Sequence, residues 1–236
     1  MTTPISLKEV VKQFGDKRVL QGANLEISAG SVVGLLGTNG SGKTTLLKCA
    51  VGLLRPQSGE SKIFGEDAWN LSAEVKSKLG YVPQVISLYP WMIVRDLIRY
   101  TASFYVNWND ELVGRLVSEW AMPEKDRVGN LSVGQLQKLA ILTALGHEPQ
   151  LLILDEPAAS LDPLARRQFL QLIIDLAEPG KRTVLFSTHI TSDLERVADH
   201  VAILKAGKIV HFGLLEDLKE QTHLNLEDAF VEMHGG

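Results

Sequence analysis

A glycine-rich run is the part of this chain whose residue types and spacing most clearly predict a chemical task. It reads Gly37-Thr38-Asn39-Gly40-Ser41-Gly42-Lys43-Thr44 and fits the phosphate-loop pattern G-x-x-x-x-G-K-[ST]. Glycines let successive backbone N–H groups point inward at phosphate oxygens. Lys43 supplies a positive charge for the β- and γ-phosphates, and the Thr44 hydroxyl can ligate Mg²⁺. The run therefore predicts a nucleotide site.

Two adjacent acids, Asp155 and Glu156, follow an apolar run at Leu151–Leu154. A carboxylate at the carboxyl end of a core strand lies beside the phosphate loop, where Asp155 can hold Mg²⁺ through water. Glu156 can polarise an attacking water as a general base. A strand that simply ends at the surface is the alternative interpretation. The phosphate loop upstream favours catalysis, so the pair predicts phosphoryl transfer to water.

The surrounding residues predict the strands and helices that must position these groups. Residues 32–36 form an apolar run that indicates a buried strand before the phosphate loop, and the residues after the loop have helical spacing. Strands and helices then alternate, which is typical of a parallel α/β core. The other expected helices are 72–78, 132–146, 163–177 and two short ones at the C-terminus; the expected strands are 80–84, 150–154, 183–186, 201–204 and 209–212.

Two departures from this alternation predict subdomains. Residues 5–11 and 19–27 read as an antiparallel hairpin around Gly15-Asp16, and helical patterns between about 87 and 146 interrupt the core. The predicted fold class is α/β: a P-loop NTPase core with a parallel sheet, an N-terminal antiparallel β subdomain and an inserted α-helical subdomain. We expect one domain over 1–236, with the core and β subdomain at about 1–86 and 147–220, the helical subdomain at about 87–146 and a C-terminal tail at 221–236.

Composition excludes several classes of protein. A formal net charge of −4 argues against a broad nucleic-acid surface, which is normally basic. Cys49 is the single cysteine, so an internal disulfide is excluded; a reducing compartment is favoured, and we expect Cys49 to be a packing residue. The N-terminal residues lack a secretory-signal pattern, and no run approaches the about 18 apolar residues of a membrane span. We therefore expect a soluble protein that reaches a membrane only through a partner.

Further motifs resemble those of the ATP-binding cassette (ABC) ATPases, in the order that this family has them and over nearly the whole chain. Leu131-Ser132-Val133-Gly134-Gln135 resembles the signature loop, and Ala159-Ser160-Leu161-Asp162 resembles the D-loop. Phe14 is similar to the aromatic residue that stacks on adenine. Gln84 resembles the glutamine-loop residue, which senses the metal and contacts the membrane partner, and His189 resembles the switch histidine at the γ-phosphate.

The resemblance implies ATP and Mg²⁺ as ligands and assigns a role to each site residue. The implied catalytic residues are Lys43, Glu156 and His189, and the implied metal ligands are Thr44, Gln84 and Asp155. The implied ATP-binding residues are Phe14, Gly37, Thr38, Asn39, Gly40, Ser41, Gly42, Lys43, Thr44 and Thr45. The signature residues Leu131, Ser132, Val133, Gly134 and Gln135 would act on the nucleotide of a second copy, and Asp162 would act in the D-loop.

Three positions depart from the family pattern without removing a catalytic group. Val133 stands where the signature usually has glycine, Ala159 where the D-loop often has serine, and Lys138 where arginine is frequent. A β-branched side chain at Val133 restricts the backbone near the partner's nucleotide. Since Ser132 and Gly134 are retained, we expect the signature to work, with altered affinity.

The resemblance implies a head-to-tail dimer with itself or a homologous cassette, in which each ATP lies between a phosphate loop and a signature loop. Opening and closing of this dimer would move an integral membrane transporter subunit through the helical subdomain near Gln84. Tyr89, Trp91 and Met92 are candidate contacts with that subunit; packing within the subdomain is the alternative. The implied location is cytoplasmic, peripheral on the inner face of the cell membrane, with no nucleic-acid partner.

Two other functions compete with a transporter ATPase. A soluble ABC-type ATPase acting on nucleic acid or ribosomes usually carries two cassettes or a long coiled-coil insertion, whereas this chain has one cassette and a short insert. A regulatory module without hydrolysis is disfavoured by Glu156 and His189. Export is favoured because 104–108, 165–167 and 226–230 resemble bacterial drug- and antibiotic-exporting ATPases.

Overall fold

The computed structural model describes residues 3–159, 161–176 and 182–235, with side chains through Met233. Ser160 of the expected D-loop and Ala177 of the expected helix lie outside the described residues. The described strands are β1 (Ile5–Phe14), β2 (Lys17–Ile27), β3 (Val32–Leu36), β4 (Ser58–Ile63), β5 (Glu66–Asp67), β6 (Leu79–Val82), β7 (Leu151–Leu154), β8 (Thr183–Thr188), β9 (His200–Lys205) and β10 (Lys208–Leu214). The described α-helices are α1 (Lys43–Ala50), α2 (Ala73–Ser77), α3 (Val94–Ala102), α4 (Asp110–Glu119), α5 (Val133–Leu145), α6 (Pro163–Leu176), α7 (Thr191–Val197), α8 (Leu215–Thr222) and α9 (Leu226–Gly235).

The larger sheet has six strands in the order β10-β9-β3-β8-β7-β6. Its members pair in parallel except β10, which is antiparallel to β9. The predicted parallel α/β core is therefore confirmed. Because β3, β7 and β8 point the same way, their carboxyl ends meet at one edge, where the phosphate loop, Asp155 and His189 follow.

The smaller sheet is antiparallel, in the order β2-β1-β4-β5. The predicted hairpin is confirmed, and both of its strands extend further toward the turn than expected, to Phe14 and from Lys17. Leu46 and Leu47 of α1 are fully buried in one apolar cluster that also contains residues of both sheets. Helix α1 is thus fixed between the two sheets, so the phosphate loop that precedes it has a rigid base.

Helices α3, α4 and α5 account for the helical patterns between the two halves of the core. The first part of the expected helical patterns between about 87 and 146 divides into α3 and α4. The Asn109 side chain accepts a hydrogen bond from Leu112 N at 2.8 Å and thereby caps α4. Leu97, Leu116 and Leu139, one from each helix, are buried in a single cluster. None of the helices in the described part of the chain has the length and apolar character of a membrane-spanning segment.

The structure corrects the ends of two expected strands and adds one helix. Strand β6 ends at Val82 rather than Gln84, because Pro83 has no N–H to donate to a strand ladder. Strand β8 continues through the buried polar residues Ser187 and Thr188. Helix α7 was not expected. It lies so close to β3 that a Cβ on Gly34 would stand 2.1 Å from Leu194 Cδ2.

Candidate functional site

An open cleft of about 420 Å³ lies at the edge of the larger sheet where the phosphate loop meets Glu156. Most of the expected ATP-binding residues line it: Phe14, Asn39, Gly40, Gly42, Lys43, Thr44 and Thr45. Gly37, Thr38 and Ser41 lie in the same loop but do not line the cleft, whereas Lys17 and Val19 do so without having been expected. Neither the sequence motif nor its spacing pointed to these two residues.

The phosphate loop requires glycine where it enters α1. Gly42 has a φ of 110°, and a Cβ there would lie 3.2 Å from both Val19 O and Leu20 Cδ2. No side chain caps this helix N-terminus, so its first N–H groups remain available to an anion. The buried Ser41 hydroxyl also lacks a hydrogen-bond partner among the described residues. The loop thus offers donors that a phosphate group can satisfy.

The Lys43 ammonium is buried and held by three oxygens. Its Nζ donates to Gly37 O at 2.8 Å and Thr38 O at 3.3 Å, and it lies 3.1 Å from Glu156 Oε1. Only 6% of Lys43 is exposed, so its charge has few solvent contacts. An ammonium group has three donors, and these three contacts use all of them.

The Glu156 carboxylate joins Lys43 to the expected switch histidine. His189 Nδ1 lies 2.9 Å from Glu156 Oε2, while Oε1 faces Lys43. The Glu156 backbone has a φ of 50°, a left-handed conformation that is unfavourable for a residue with a side chain. Such strain concentrates at functional sites, where surrounding contacts hold it. A carboxylate shared by a lysine and a histidine can accept a proton from a water bound at the cleft.

Ser187 holds the two adjacent acids in place. Its hydroxyl donates to Asp155 Oδ1 at 2.8 Å and accepts from the Glu156 backbone N–H at 2.9 Å. The sequence motifs do not include Ser187 among the expected site residues. The one feature of the sequence that could have indicated Ser187 is its position, two residues before His189 at the end of an apolar strand.

The residues expected to bind a metal suit Mg²⁺. Asp155 is fully buried, and its Oδ2 has no hydrogen-bond partner among the described residues. Thr44 Oγ1 lies 3.3 Å from Gln84 Oε1. A hydroxyl, an amide oxygen and a carboxylate oxygen are the hard donors that Mg²⁺ uses together with water. No group of three or more His, Cys, Asp or Glu side chains in the described residues could hold a metal alone.

Phe14 is at the end of β1 and is 49% exposed, which does not suit a core-packing residue. It lines the cleft on the side of Lys17 and Val19. An exposed aromatic face beside a phosphate site can stack on a nucleobase.

The signature residues do not line this cleft. Ser132 caps α5: its hydroxyl accepts from Gln135 N at 3.2 Å, and its own N–H donates to Gln135 Oε1 at 2.9 Å. Val133 is the first residue of α5, and 67% of its surface is exposed. Its β-branched side chain therefore does not clash with other residues of the same chain. The N-terminal turn of α5 is therefore exposed, and its Gln135 N–H is bonded within the helix.

Asp162, the aspartate of the expected D-loop, starts helix α6. Asp162 Oδ1 accepts hydrogen bonds from Ala165 N and Leu164 N, both at 2.9 Å. The bond from Ala165, more than any other contact, lowers the pKa of the Asp162 carboxyl. The carboxylate thus remains ionised at the N-terminus of α6, where negative charge is favoured.

Comparison with known proteins identifies relatives of this chain. The family model described as ABC transporter matches residues 20–159, more than half of the chain. The bacitracin transport ATP-binding protein BcrA of Bacillus licheniformis is 31% identical over 229 residues, covering 96% of this chain and 75% of BcrA. The probable multidrug ABC transporter ATP-binding protein YbhF of Escherichia coli is 34% identical over 242 residues, covering 98% of this chain but only 42% of YbhF.

Solved structures have the same architecture. An ATP-binding subunit of an ABC transporter superimposes with a TM-score of 0.87 and 28% identity, covering 98% of this chain and 99% of the other. The bacterial ABC transporter cassette MJ0796, solved as a dimer, gives a TM-score of 0.79 and 25% identity over 89% of this chain and 98% of the other. MJ0796 is also known in a post-hydrolysis state bound to ADP and Pi, with a TM-score of 0.78. This chain therefore belongs to the ABC transporter family and is one of its ATP-hydrolysing, ATP-binding cassettes.

Proposed function

We propose that this cassette hydrolyses Mg²⁺-ATP in the cleft between Lys43 and Glu156 and uses the energy to drive export through a membrane subunit. The observation that carries the assignment of the site is the Glu156 carboxylate, which bridges Lys43 at 3.1 Å and His189 at 2.9 Å. A buried carboxylate between two basic side chains, on a residue with a strained backbone, is typical of a catalytic site and is not required for nucleotide binding alone.

Binding of ATP begins with an exchange of partners at Lys43. The phosphate oxygens replace Gly37 O, Thr38 O and Glu156 as acceptors for its ammonium. Thr44, Gln84 and Asp155 would hold Mg²⁺, which would supply charge neutralisation at the phosphates. Glu156, once released from Lys43, is free to orient a water molecule and take its proton.

His189 keeps Glu156 in position during this exchange. Its Nδ1 contact at 2.9 Å survives the loss of the Lys43 contact, because the two basic groups bind different carboxylate oxygens. The second ring nitrogen is then available to the γ-phosphate. Ser187 fixes the Glu156 backbone through the 2.9 Å bond to its N–H, so the base does not move with the loop that follows.

A second copy of the chain completes each site. The α5 N-terminus with Ser132 and Gly134 is exposed and lies outside the cleft, so it suits the γ-phosphate held by another copy. The dimeric cassette MJ0796, with a similar fold, supports this arrangement. Two ATP molecules would then lie between two head-to-tail cassettes.

An exposed aromatic cluster supports a membrane subunit as the partner. Tyr89, Trp91, Tyr100 and Phe104 contact one another with centroid distances of 5.4, 5.8 and 4.9 Å, and 67% of both Trp91 and Phe104 is exposed. Met92, in contrast, packs against the core, so of the three expected contacts only Tyr89 and Trp91 are presented outward. Exposed aromatic clusters of this kind mark protein interfaces. This favours transport over action on nucleic acid.

The proposed direction of transport rests on analogy. The Nod factor export ATP-binding protein I of Burkholderia lata, 34% identical over 216 residues, is named for export, and we extend export to this chain on that analogy. The cassette would then lie in the cytoplasm against the inner face of the membrane.

ATP turnover by the purified chain tests the catalytic assignment. Glu156→Gln should retain ATP binding and lower kcat by about 10²- to 10⁴-fold, since it loses the general base but keeps the side-chain shape. Glu220→Gln, on the exposed side of α8, is the matched control and should turn over like the unmodified chain. Equal kcat for Glu156→Gln and the control would rule out Glu156 as the base.

A further inference from the structure

Lys12 lies against the aromatic ring of Phe14. Its Nζ stands 5.3 Å from the ring centroid, within the range of a cation–π contact. The two residues are two positions apart at the end of β1, where the pairing with β2 shifts register between Lys12 and Gln13. The irregular end of the strand thus brings the ammonium and the ring together.

Lys12 approaches the ring from outside the cleft. Phe14 lines the cleft, whereas Lys12 does not. The Lys12 ammonium is anchored in place by a 2.7 Å hydrogen bond to Arg55 O, on the loop before β4. The ring is thus in contact with a fixed cation, while Phe14 itself lines the open cleft.

The same loop also fixes the backbone beside Phe14. Gln57 Nε2 donates to Gln13 O at 2.9 Å, and Gln57 Oε1 accepts from Gln13 N at 3.0 Å. The Gln57 backbone N–H donates to Val11 O at 2.9 Å. The end of β1 is thus joined to the 55–57 loop by three hydrogen bonds in addition to the Lys12 contact.

We infer that Lys12 is a positioning residue that holds the Phe14 ring ready for a purine base. This rests on the proposed function, in which Phe14 stacks on the adenine of ATP. An exposed aromatic side chain loses conformational entropy when a base binds and fixes its rotamer. A ring that is already held in one rotamer loses less entropy, so binding of the base is more favourable. Lys12 therefore raises the affinity for the base and leaves the phosphate contacts unchanged.

Calorimetry with ATP and with inorganic tripolyphosphate, which has no base, tests this inference in the full chain. Lys12→Met should weaken ATP binding by about three- to tenfold. Its affinity for tripolyphosphate should stay within about twofold of the unmodified chain, because the phosphate loop is intact. In steady-state assays the KM for ATP should rise while kcat is unchanged.

Two further variants make the result specific. Lys12→Arg should restore ATP affinity, since a guanidinium can also stack on Phe14 and donate to Arg55 O. Lys8→Met, an exposed lysine on the same strand, should bind ATP like the unmodified chain. An equal loss of ATP and tripolyphosphate affinity in Lys12→Met, or no loss of either, would overturn the inference.

Phe14→Ala separates this inference from the proposed function. If Phe14→Ala weakens ATP binding but Lys12→Met does not, Lys12 has no positioning role and the proposed base stacking stands. If Phe14→Ala binds ATP normally, the stacking role itself is wrong, and the inference about Lys12 fails with it. If both variants lose ATP affinity and retain tripolyphosphate binding, the result supports base stacking by Phe14 and the positioning role of Lys12.

Discussion

Glu156 combines a buried carboxylate shared by two basic side chains with a backbone in the left-handed region. A conformation of this kind costs on the order of 1–3 kcal/mol for a residue with a side chain. Contacts around Glu156 offset this conformational cost: Ser187 accepts a hydrogen bond from the Glu156 N–H, and two basic side chains contact the carboxylate. The sequence indicated that Glu156 follows a strand, but the strained backbone depends on these tertiary contacts and could not be read from residue types.

At the same scale, removal of the Lys43 ammonium should weaken ATP binding. Lys43→Ala loses a charge-assisted contact to phosphate, and the expected loss of affinity is about ten- to a hundredfold. It also leaves Glu156 buried beside one basic group instead of two. Calorimetry measures the affinity, with Lys76→Ala on α2 as an exposed lysine control. Unchanged affinity in Lys43→Ala would refute the phosphate-loop assignment.

Cys49 offers a second test at the residue scale, since it is the single thiol of the chain. Burial raises the pKa of the Cys49 thiol to about 11, although nearby Lys12 partly opposes this. At pH 8 the reactive thiolate is therefore scarce and shielded. A thiol reagent should label the folded chain about a hundredfold more slowly than the chain in denaturant. Equal labelling rates would contradict the packing role predicted from the sequence.

At the scale of elements, the sequence predicted those with strong apolar patterns and missed α7. That helix has seven residues, has no side-chain N-cap and buries Asp193 in its first turn, so only Leu194 and Val197 give a helical apolar signal. Strand β8 was predicted too short for a related reason, because buried Ser187 and Thr188 resemble loop residues. In both cases a buried polar side chain obscures the hydrophobic pattern.

An ion pair joins α6, which follows the D-loop, to α7, which follows His189. Arg166 Nε donates to Asp193 Oδ1 and Oδ2 at 2.8 and 3.0 Å, and Nη2 lies 2.7 Å from Oδ1. The carboxylate is buried and the guanidinium is partly exposed, with relative side-chain accessibilities of 5% and 29%. Two segments that flank Glu156 in the fold are thereby held together.

Loss of this ion pair should destabilise the fold. Arg166→Met leaves the Asp193 carboxylate buried without its partner, and the free energy of unfolding should fall by about 1–3 kcal/mol, less than for a fully buried pair. Arg167→Met is the matched control: Arg167 is the next residue on α6 and is exposed, so its loss should cost under about 0.5 kcal/mol. Urea unfolding measures both. Equal stability of the two variants would show that the ion pair contributes nothing.

At the scale of the whole molecule, one chain provides a nucleotide cleft that is open to solvent. The phosphate loop, Glu156 and His189 come together at one sheet edge, as the order of the motifs predicted, while the signature at α5 faces outward. Motifs that follow parallel strands can be predicted to lie in one site, because the carboxyl ends of these strands meet at one edge of the sheet. A contact between two chains depends on surfaces that residue patterns do not define, so only the resemblance to a family suggested it.

Sedimentation of the Glu156→Gln variant with Mg²⁺-ATP tests the sharing of ATP between two copies most directly. The mass should double at saturating ATP and return to that of one chain when nucleotide is removed. Adding Gly134→Asp puts negative charge where the partner's γ-phosphate would lie, and this double variant should bind ATP equally well yet remain a single chain. If Glu156→Gln stays a single chain at saturating ATP, or if the double variant also pairs, the two copies do not share the nucleotide through the signature loop.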